Sequence, residues 1–593
     1  NFQFSEYSNT PSYNTVTHNM ITGRFLSNES SSNLTSNTHA ASGATEQQLL
    51  TSLSFSDCFH IDKTAVNIHF MRELLCPDTH QNPSEGHGKE SSSSDSTNQG
   101  TYSSSSPGPF RIENVRGAQA EGHDSVTKEG KEGKAGKAGA SSCCQLNDLK
   151  RLPQCHMKLG PLRFDETHTV LINVRLCPFY FLSVLKGALP KKYIYLIGKG
   201  RDLWHSDFVK MPCSQASITS ISEQAVLLLF QGFLREKEGW RLAFNYVFLC
   251  SQAIPLLRKG RSATITLSQY QISCLLANAF FCTFPHRNTS RPNAEYSGYP
   301  SINFNSLFEK WSERKREKLR AIMHYFKVVT DEHTQPEGLV TFERRCLSNT
   351  DTPKWKSCKE TLSKLHVTSE GQIEADGKGM LQVDFASSWI GGGVLGSGLL
   401  QEEILFLMNP ELIVARLFTE KLEDNECLII TGSQQFSSYS GFGDTFEWAG
   451  PYQDSFERDE WARLKRQILA IDALKFRDRT EQYNRKHIFR ELNKAYCGFK
   501  RYHGDEEPDI ATGKWGCGAF NGDPQLKAVI QLMAAAKAKR GLAFFTFMDK
   551  HLEQNLEQIY HLMVTEKVTV GKSSQDVKFS FLKFLYFIHV LNT

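Results

Sequence analysis

Three consecutive glycines, Gly391 to Gly393, are followed after seven residues by Gln401-Glu402-Glu403. Glycine lets backbone N–H groups come close to an anion. A carboxylic acid can protonate a departing oxygen while a neighbouring carboxylate grips a sugar hydroxyl. Together they suit cleavage of a glycosidic bond beside a diphosphate. The apolar run Met380-Leu-Gln-Val-Asp-Phe385 reads as a strand, with Asp384 near its end, and a helix begins near Gln401. Strand, glycine loop and helix place amide donors and a positive helix end on one anion. On a helix, Glu402 and Glu403 lie about 100° apart. One is expected at the glycosidic oxygen and the other at a ribose hydroxyl, their repulsion keeping a proton available near neutral pH. Without that context, two glutamates at a helix start are a solvated pair favoured by the helix dipole. Gly391-x-Gly393-x-x-Gly396 also fits the dinucleotide pattern, but Glu411, about twenty residues on, falls inside a helical pattern instead of ending a strand.

Two other glycine-bearing stretches are candidates. Trp515-Gly-Cys-Gly518-Ala519-Phe520 precedes a helix from Gln525 and could wrap the far side of a diphosphate, or be a tight loop needing positive φ. Tyr439-Ser-Gly-Phe442-Gly sets aromatic rings beside glycines, suited to stacking on a base or to core packing.

The elements that must position these residues fall in three regions, expected at 1–150, 151–335 and 336–593. The first carries serine tracts (Ser91–Ser94, Ser103–Ser106) and a Lys/Gly run from Lys128 to Lys137. It is expected to be a disordered tail with a short docking segment from Leu49 to Phe70. The second reads as mostly helical after a strand at Thr169–Val174. Ser268-Gln-Tyr-Gln271 is a capping box opening a buried helix that runs to about Phe284 and stops at Pro285. Its charged run Lys310–Arg320 reads as a solvated helix face. In the third, strands are expected at Leu339–Phe342, Leu365–Val367, Met380–Phe385, Glu426–Ile430 and Leu542–Phe547. Helices are expected at Glu402–Phe406, Pro410–Leu422, Asp459–Leu474 and Gln525–Lys539. That alternation predicts an α/β domain with a sheet covered on both faces.

Charge and composition narrow the partners. A net charge of +4 over 593 residues does not build a nucleic-acid groove. No apolar run reaches membrane-spanning length, and no apolar signal core opens the chain. Fifteen cysteines without framework spacing suggest reduced intracellular thiols.

The run Gly391-Gly-Gly-Val-Leu-Gly-Ser-Gly-Leu-Leu-Gln-Glu-Glu403 resembles the signature of poly(ADP-ribose) glycohydrolase in its animal form. The likeness extends from about 160 to 570. It includes Arg163-Phe-Asp-Glu-Thr-His, Met211-Pro-Cys-Ser, Leu275-Leu-Ala-Asn-Ala-Phe, Asn409-Pro-Glu-Leu-Ile, Cys427-Leu-Ile-Ile-Thr-Gly, Glu491-Leu-Asn-Lys-Ala-Tyr and Trp515-Gly-Cys-Gly. The resemblance implies an α/β macrodomain, a mixed sheet flanked by helices, behind an N-terminal mostly helical accessory domain. It implies hydrolysis of ribose–ribose bonds in poly(ADP-ribose), releasing ADP-ribose. A module of the same fold that binds without cleaving is the competing expectation.

By family motif, Glu403 is the acid and later the base, Glu402 holds ribose hydroxyls, and Asp384 supports that carboxylate and the loop. Gly391, Gly392 and Gly393, with Gly518, Ala519 and Phe520, cradle the diphosphate. Gln401, Tyr439, Phe442 and Phe547 complete the substrate-binding set, Phe442 standing where the family has an adenine-contacting tyrosine. Ser387 and Lys514 stand where the family has asparagines, and the segment from Met211 to Ile254 is shorter than in the animal enzymes. No cofactor and no metal are expected. The expected partners are poly(ADP-ribose) and poly(ADP-ribosyl)ated proteins, met by a monomer in the nucleus or the cytoplasm, with no membrane and no nucleic acid.

Overall fold

The structure, a computed structural model, describes residues 143–152, 167–171, 206–212, 254–285, 287, 294–310, 312–502 and 507–571. The docking segment and nearly all of the expected tail lie outside the described residues, as do Ile172–Val174 of the first expected strand and the chain after Gly571.

The strands are β1 (His168–Leu171), β2 (Ala263–Ser268), β3 (Leu339–Cys346), β4 (Leu365–Thr368), β5 (Leu381–Ala386) and β6 (Glu426–Thr431). They continue with β7 (Ser437–Ser440), β8 (Glu447–Pro451), β9 (Gln467–Asp472), β10 (Ile510–Gly513) and β11 (Leu542–Phe545). The longer helices are α1 (Gln269–Phe280), α2 (Glu313–Thr330), α3 (Gln401–Met408), α4 (Arg485–Phe499), α5 (Pro524–Lys537) and α6 (Lys550–Thr565). Among the described residues, nine strands make one mixed sheet in the order β1-β2-β3-β6-β9-β5-β10-β11-β4, and β7 and β8 form a separate hairpin. From β9 to β4 the neighbours are parallel. From β2 to β9 they are antiparallel.

Alternation along the central strands splits the core into two layers. Leu428 and Ile430 of β6 and Ile468 and Ala470 of β9 pack with α1, α2 and α3. Cys427, Ile429, Leu469 and Ile471 pack with α4, α5 and α6. The sheet is thus covered on both faces, as the alternation of elements predicts. It also continues through residue 335: β2 pairs with β3 along its whole length, and α1 and α2 share a core with α3. No helix among the described residues is long and apolar enough to cross a membrane.

Local chemistry explains the element ends. Ser268 Oγ accepts from the N–H of Gln271, and Gln271 Oε1 accepts from the N–H of Ser268 (3.1 and 2.9 Å), completing the expected capping box at α1. That helix stops at Phe280, short of Pro285, because Cys282 takes a left-handed φ of 57°.

Two expected helices are corrected. Asp459–Leu474 instead carries β9, whose six residues are all buried at the middle of the sheet. A short apolar run between charged residues reads equally as either element, and burial from both sides selects the strand. Pro410–Leu422 is a 3-10 turn (Pro410–Val414), one helical turn (Ala415–Phe418), then a bridge from Thr419 to Leu257.

Candidate active site

A cavity of about 490 Å³ opens at the carboxyl ends of four adjacent strands. Phe385 and Ala386 end β5, Ala473 follows β9, Lys514 follows β10, and Phe547 follows β11, and all line it. Parallel strands that stop together leave a crevice beyond their carboxyl ends. Leu400, Gln401 and Ile404 bring the first turn of α3 to its wall, and Tyr439, Gly441 and Phe442 bring the β7–β8 hairpin. The loop Lys514–Phe520 closes another side, with Trp515 fully buried and its Nε1 donating to the carbonyl of Ile471 at 3.0 Å. Phe442 and Phe547 are exposed at the rim, and Phe547 and Met548 both hold left-handed φ (52° and 62°). Consecutive bulky residues in that region mark a strained turn.

Glu402 and Glu403 are buried, 4% and 8% exposed, not a solvated pair. Each is bound by loop amides. Glu402 accepts from the N–H of Gly391 (2.6 Å) and of Ser387 (2.8 Å). Glu403 accepts from the N–H of Gly393 (2.9 Å) and, reaching back over the start of α3, of Leu400 (2.8 Å). Gly391 and Gly392 hold φ of 80° and 44°. A Cβ on Gly392 would stand 2.5 Å from Glu403 Oε1 and 2.7 Å from Glu402 Oε2. Glycine is required there because the two acids close around it.

This differs from the expected diphosphate cradle. The amides of Gly391 and Gly393 are taken by the carboxylates, and that of Gly392 by the carbonyl of Trp389 (3.0 Å). The loop binds the acids. In the 518–520 loop, by contrast, no acceptor among the described residues takes the N–H of Gly518, Ala519 or Phe520. Lys514 is the one cation among the cavity-lining residues, 3.7 Å from Asp549. Ser387 contacts Glu402 through its backbone, so its side chain is not needed for that bond.

Asp384 also departs from its expected role. It is fully buried, and neither carboxylate oxygen has a hydrogen-bond partner, so it supports Glu402 and the loop by no direct bond. Burial, then the nearby Glu403 and Glu374, push its pKa well above the carboxylate range. Burial and then Asp384 push Glu402 up as well, opposed by the Ser387 and Gly391 amides. Asp384 has no donor and Glu402 has two, so Asp384 is the one that keeps its proton.

Two buried cations face the loop from behind. Lys318 Nζ donates to the carbonyls of Gly393 (3.2 Å), Val394 (3.0 Å) and Gly396 (2.8 Å). Arg416 Nη1 donates to the carbonyls of Ile390 (2.8 Å) and Gly392 (3.0 Å). Neither was singled out by sequence, although both left a signal. Lys318 sits in the run read as solvated, yet it lies four residues before Ile322 and seven before Tyr325, on the buried stripe of α2. Arg416 is a lone charge inside Leu412-Ile-Val-Ala-Arg-Leu-Phe, and a charge in such a run needs partners. The structure thus brings Gln401, Tyr439, Phe442, Gly518, Ala519, Phe520 and Phe547 to one cavity, whereas Asp384, Glu402, Glu403 and Gly391–Gly393 do not line it themselves and stand next in the chain to the lining residues Phe385, Gln401 and Ile404 or in the loop between the first two.

Residues 352–554 match the family described as poly(ADP-ribose) glycohydrolase, macro domain fold, and residues 240–344 match its helical domain. Poly(ADP-ribose) glycohydrolase 1 of Arabidopsis thaliana is 32% identical over 419 residues, 58% of this chain and 74% of the relative. Poly(ADP-ribose) glycohydrolase 1 of Caenorhabditis elegans is 36% identical over 417 residues, 66% of this chain and 50% of the relative. A solved poly(ADP-ribose) glycohydrolase from Deinococcus radiodurans, in complex with ADP-ribose, has 17% identity and a TM-score of 0.23 over 38% of this chain and 94% of that one. So remote a likeness supports nothing further.

The unpartnered Asp384 has a consequence for stability. Its folded pKa is raised above its unfolded value of about 4. Its contribution is therefore complete below pH 4 and is lost as pH rises toward the folded pKa. Asparagine does not titrate. Urea unfolding of the parent and Asp384→Asn between pH 5 and 8 should show the variant gaining relative stability with pH, by up to about 1.4 kcal/mol per unit. A difference independent of pH would mean that Asp384 is charged in the folded protein.

Proposed function

The chain belongs to the poly(ADP-ribose) glycohydrolase family, and from that premise we propose that it hydrolyses the ribose–ribose O-glycosidic bonds of poly(ADP-ribose) and releases ADP-ribose. The observation that carries the reading is the glycine loop closed around two buried acids on the helix turn whose Leu400, Gln401 and Ile404 line a nucleotide-sized cavity.

In this reading Glu403 gives its proton to the bridging oxygen as the anomeric C–O bond breaks, the electron pair leaving with that oxygen. The resulting Glu403 carboxylate takes a proton from the water that attacks the anomeric carbon, which restores the acid. Glu402 meets the ribose hydroxyls, using lone pairs left by its two amide bonds. The free amides of 518–520 and the ammonium of Lys514 receive the diphosphate. Phe442, Phe547 and Tyr439 offer ring faces to the adenosine end, and Gln401 holds the end of β5 through the N–H of Phe385 (2.8 Å). The protein acts as a monomer on poly(ADP-ribosyl)ated proteins in the nucleus or the cytoplasm, the Lys128–Lys137 run being compatible with a nuclear address and equally with a solvated linker. Imaging of the tagged full chain tests the compartment, and exclusive residence elsewhere would sink it.

The decisive assay mixes purified protein with labelled poly(ADP-ribose) and follows released ADP-ribose. Glu403→Gln should lower turnover by about 10²–10⁴-fold and leave ADP-ribose affinity near the parent's. A variant that still cleaves at the parental rate would remove Glu403 from the reaction. Phe442→Ala should weaken ADP-ribose binding by about 1–3 kcal/mol, the usual worth of a base on a ring. Calorimetric titration showing unchanged affinity with slower turnover would contradict a stacking role.

A further inference from the structure

Two peptide groups of the glycine loop lie between one cation and two carboxylates. Arg416 Nη1 binds the carbonyl of Ile390, and across that same peptide the N–H of Gly391 binds Glu402 Oε1. Arg416 Nη1 also binds the carbonyl of Gly392, and across that peptide the N–H of Gly393 binds Glu403 Oε1. In a planar trans peptide the C=O and N–H point in opposite directions, so fixing the oxygen aims the hydrogen. The guanidinium is itself fixed. Its Nε donates to the carbonyl of Ser301 (2.8 Å), and Arg287 donates to the carbonyl of Arg416 (3.1 Å).

We infer that Arg416 is a positioning residue for Glu402 and Glu403, aiming and polarising the two amides that hold them while making no direct ion pair with either acid. The inference rests on the reading of the site given above and adds a residue to it. Five donors in a rigid fork suit this task, and a lysine ammonium cannot bind Ser301 and both peptides in the same geometry. Burial lowers Arg416 to about 10, which leaves it cationic at neutral pH. The charged and titratable groups around it are Glu402 and Glu403 of α3, Lys318 of α2, and Arg287. Asp384 and Glu374 stand behind the acids.

The test uses the full chain with Arg416→Lys and Arg416→Met. It reads kcat and KM on polymer, ADP-ribose affinity, thermal unfolding and the pH profile of kcat. For Arg416→Lys, kcat should fall about 10–100-fold, since small misplacements of catalytic groups cost that much. Its KM and ADP-ribose affinity should stay within about threefold. Arg416→Met should lose about tenfold more. It alone should move the kcat profile to higher pH, because only there is the charge that favours ionised carboxylates gone.

Parental kcat in Arg416→Lys, or in a folded Arg416→Met, overturns the inference. So does a loss of kcat that tracks ADP-ribose affinity or folded fraction with an unmoved pH profile. If Arg416→Met does not fold, the kcat of Arg416→Lys at unchanged affinity decides. A parent that cleaves polymer, and a Glu403→Gln that does not, keep the reading of the site intact while Arg416 is judged. A parent that fails to cleave overturns that reading, and this inference with it.

Discussion

Everything at the site depends on holding two buried acids still with a cation that touches neither of them. Arg416 reaches Glu402 and Glu403 only through the peptides Ile390–Gly391 and Gly392–Gly393. Interposing a peptide divides the task. Each carboxylate meets an amide N–H, which orients it. The cation meets the carbonyl on the far side, which orients the amide. This explains why the glycines are needed at all. The chain must bend through positive φ at Gly391 and Gly392, and it must leave no Cβ where the two carboxylates converge.

The scaffold supplies the rest through strand ends. β9, β5, β10 and β11 run parallel, so the residues that follow them emerge on one edge, and each contributes to the cavity. The glycine loop leaves from β5, which has parallel partners on both sides. Tyr439 and Phe442 come from the hairpin, which is pinned to α2. Glu317 Oε2 accepts from the N–H of Trp448 (2.9 Å), and Arg320 lies over the Trp448 ring at 4.9 Å. Trp448 Nε1 in turn binds Ser437 Oγ at 2.9 Å, which ties the two hairpin strands together.

Much of this was legible in the sequence. The strand–loop–helix unit, the two acids and the aromatic stretch stood out because local residue types specify them, and the capping box fixed the start of α1. What could not be read is what depends on partners distant in the chain. β9 looks helical until β6 and β5 enclose it. The Gly391–Gly393 amides look free for phosphate until Glu402 and Glu403 fold back onto them. Asp384 looks like a support until its burial and lack of donors are known. Lys318 and Arg416 carried a local signal, a charge on an apolar stripe, but their acceptors on the glycine loop lie 75 to 78 and 24 to 26 residues away.

Those two cations also show why the helical segment belongs to the site. Lys318 comes from α2, in the segment before residue 335, and it holds the carbonyls of a loop in the segment after it. The sheet and one core layer cross the same boundary. Burial lowers Lys318 to about 7, against the pull of Glu403. Its ammonium has three donors for three carbonyls, and the neutral amine would have two. Protonated Lys318 therefore satisfies the loop fully, while the neutral amine would leave one of the carbonyls of Gly393, Val394 and Gly396 without its donor. A helix that only braced the sheet would need no such residue. Placing a desolvated lysine there makes the geometry of the acid loop depend on a segment that the catalytic half of the chain does not contain.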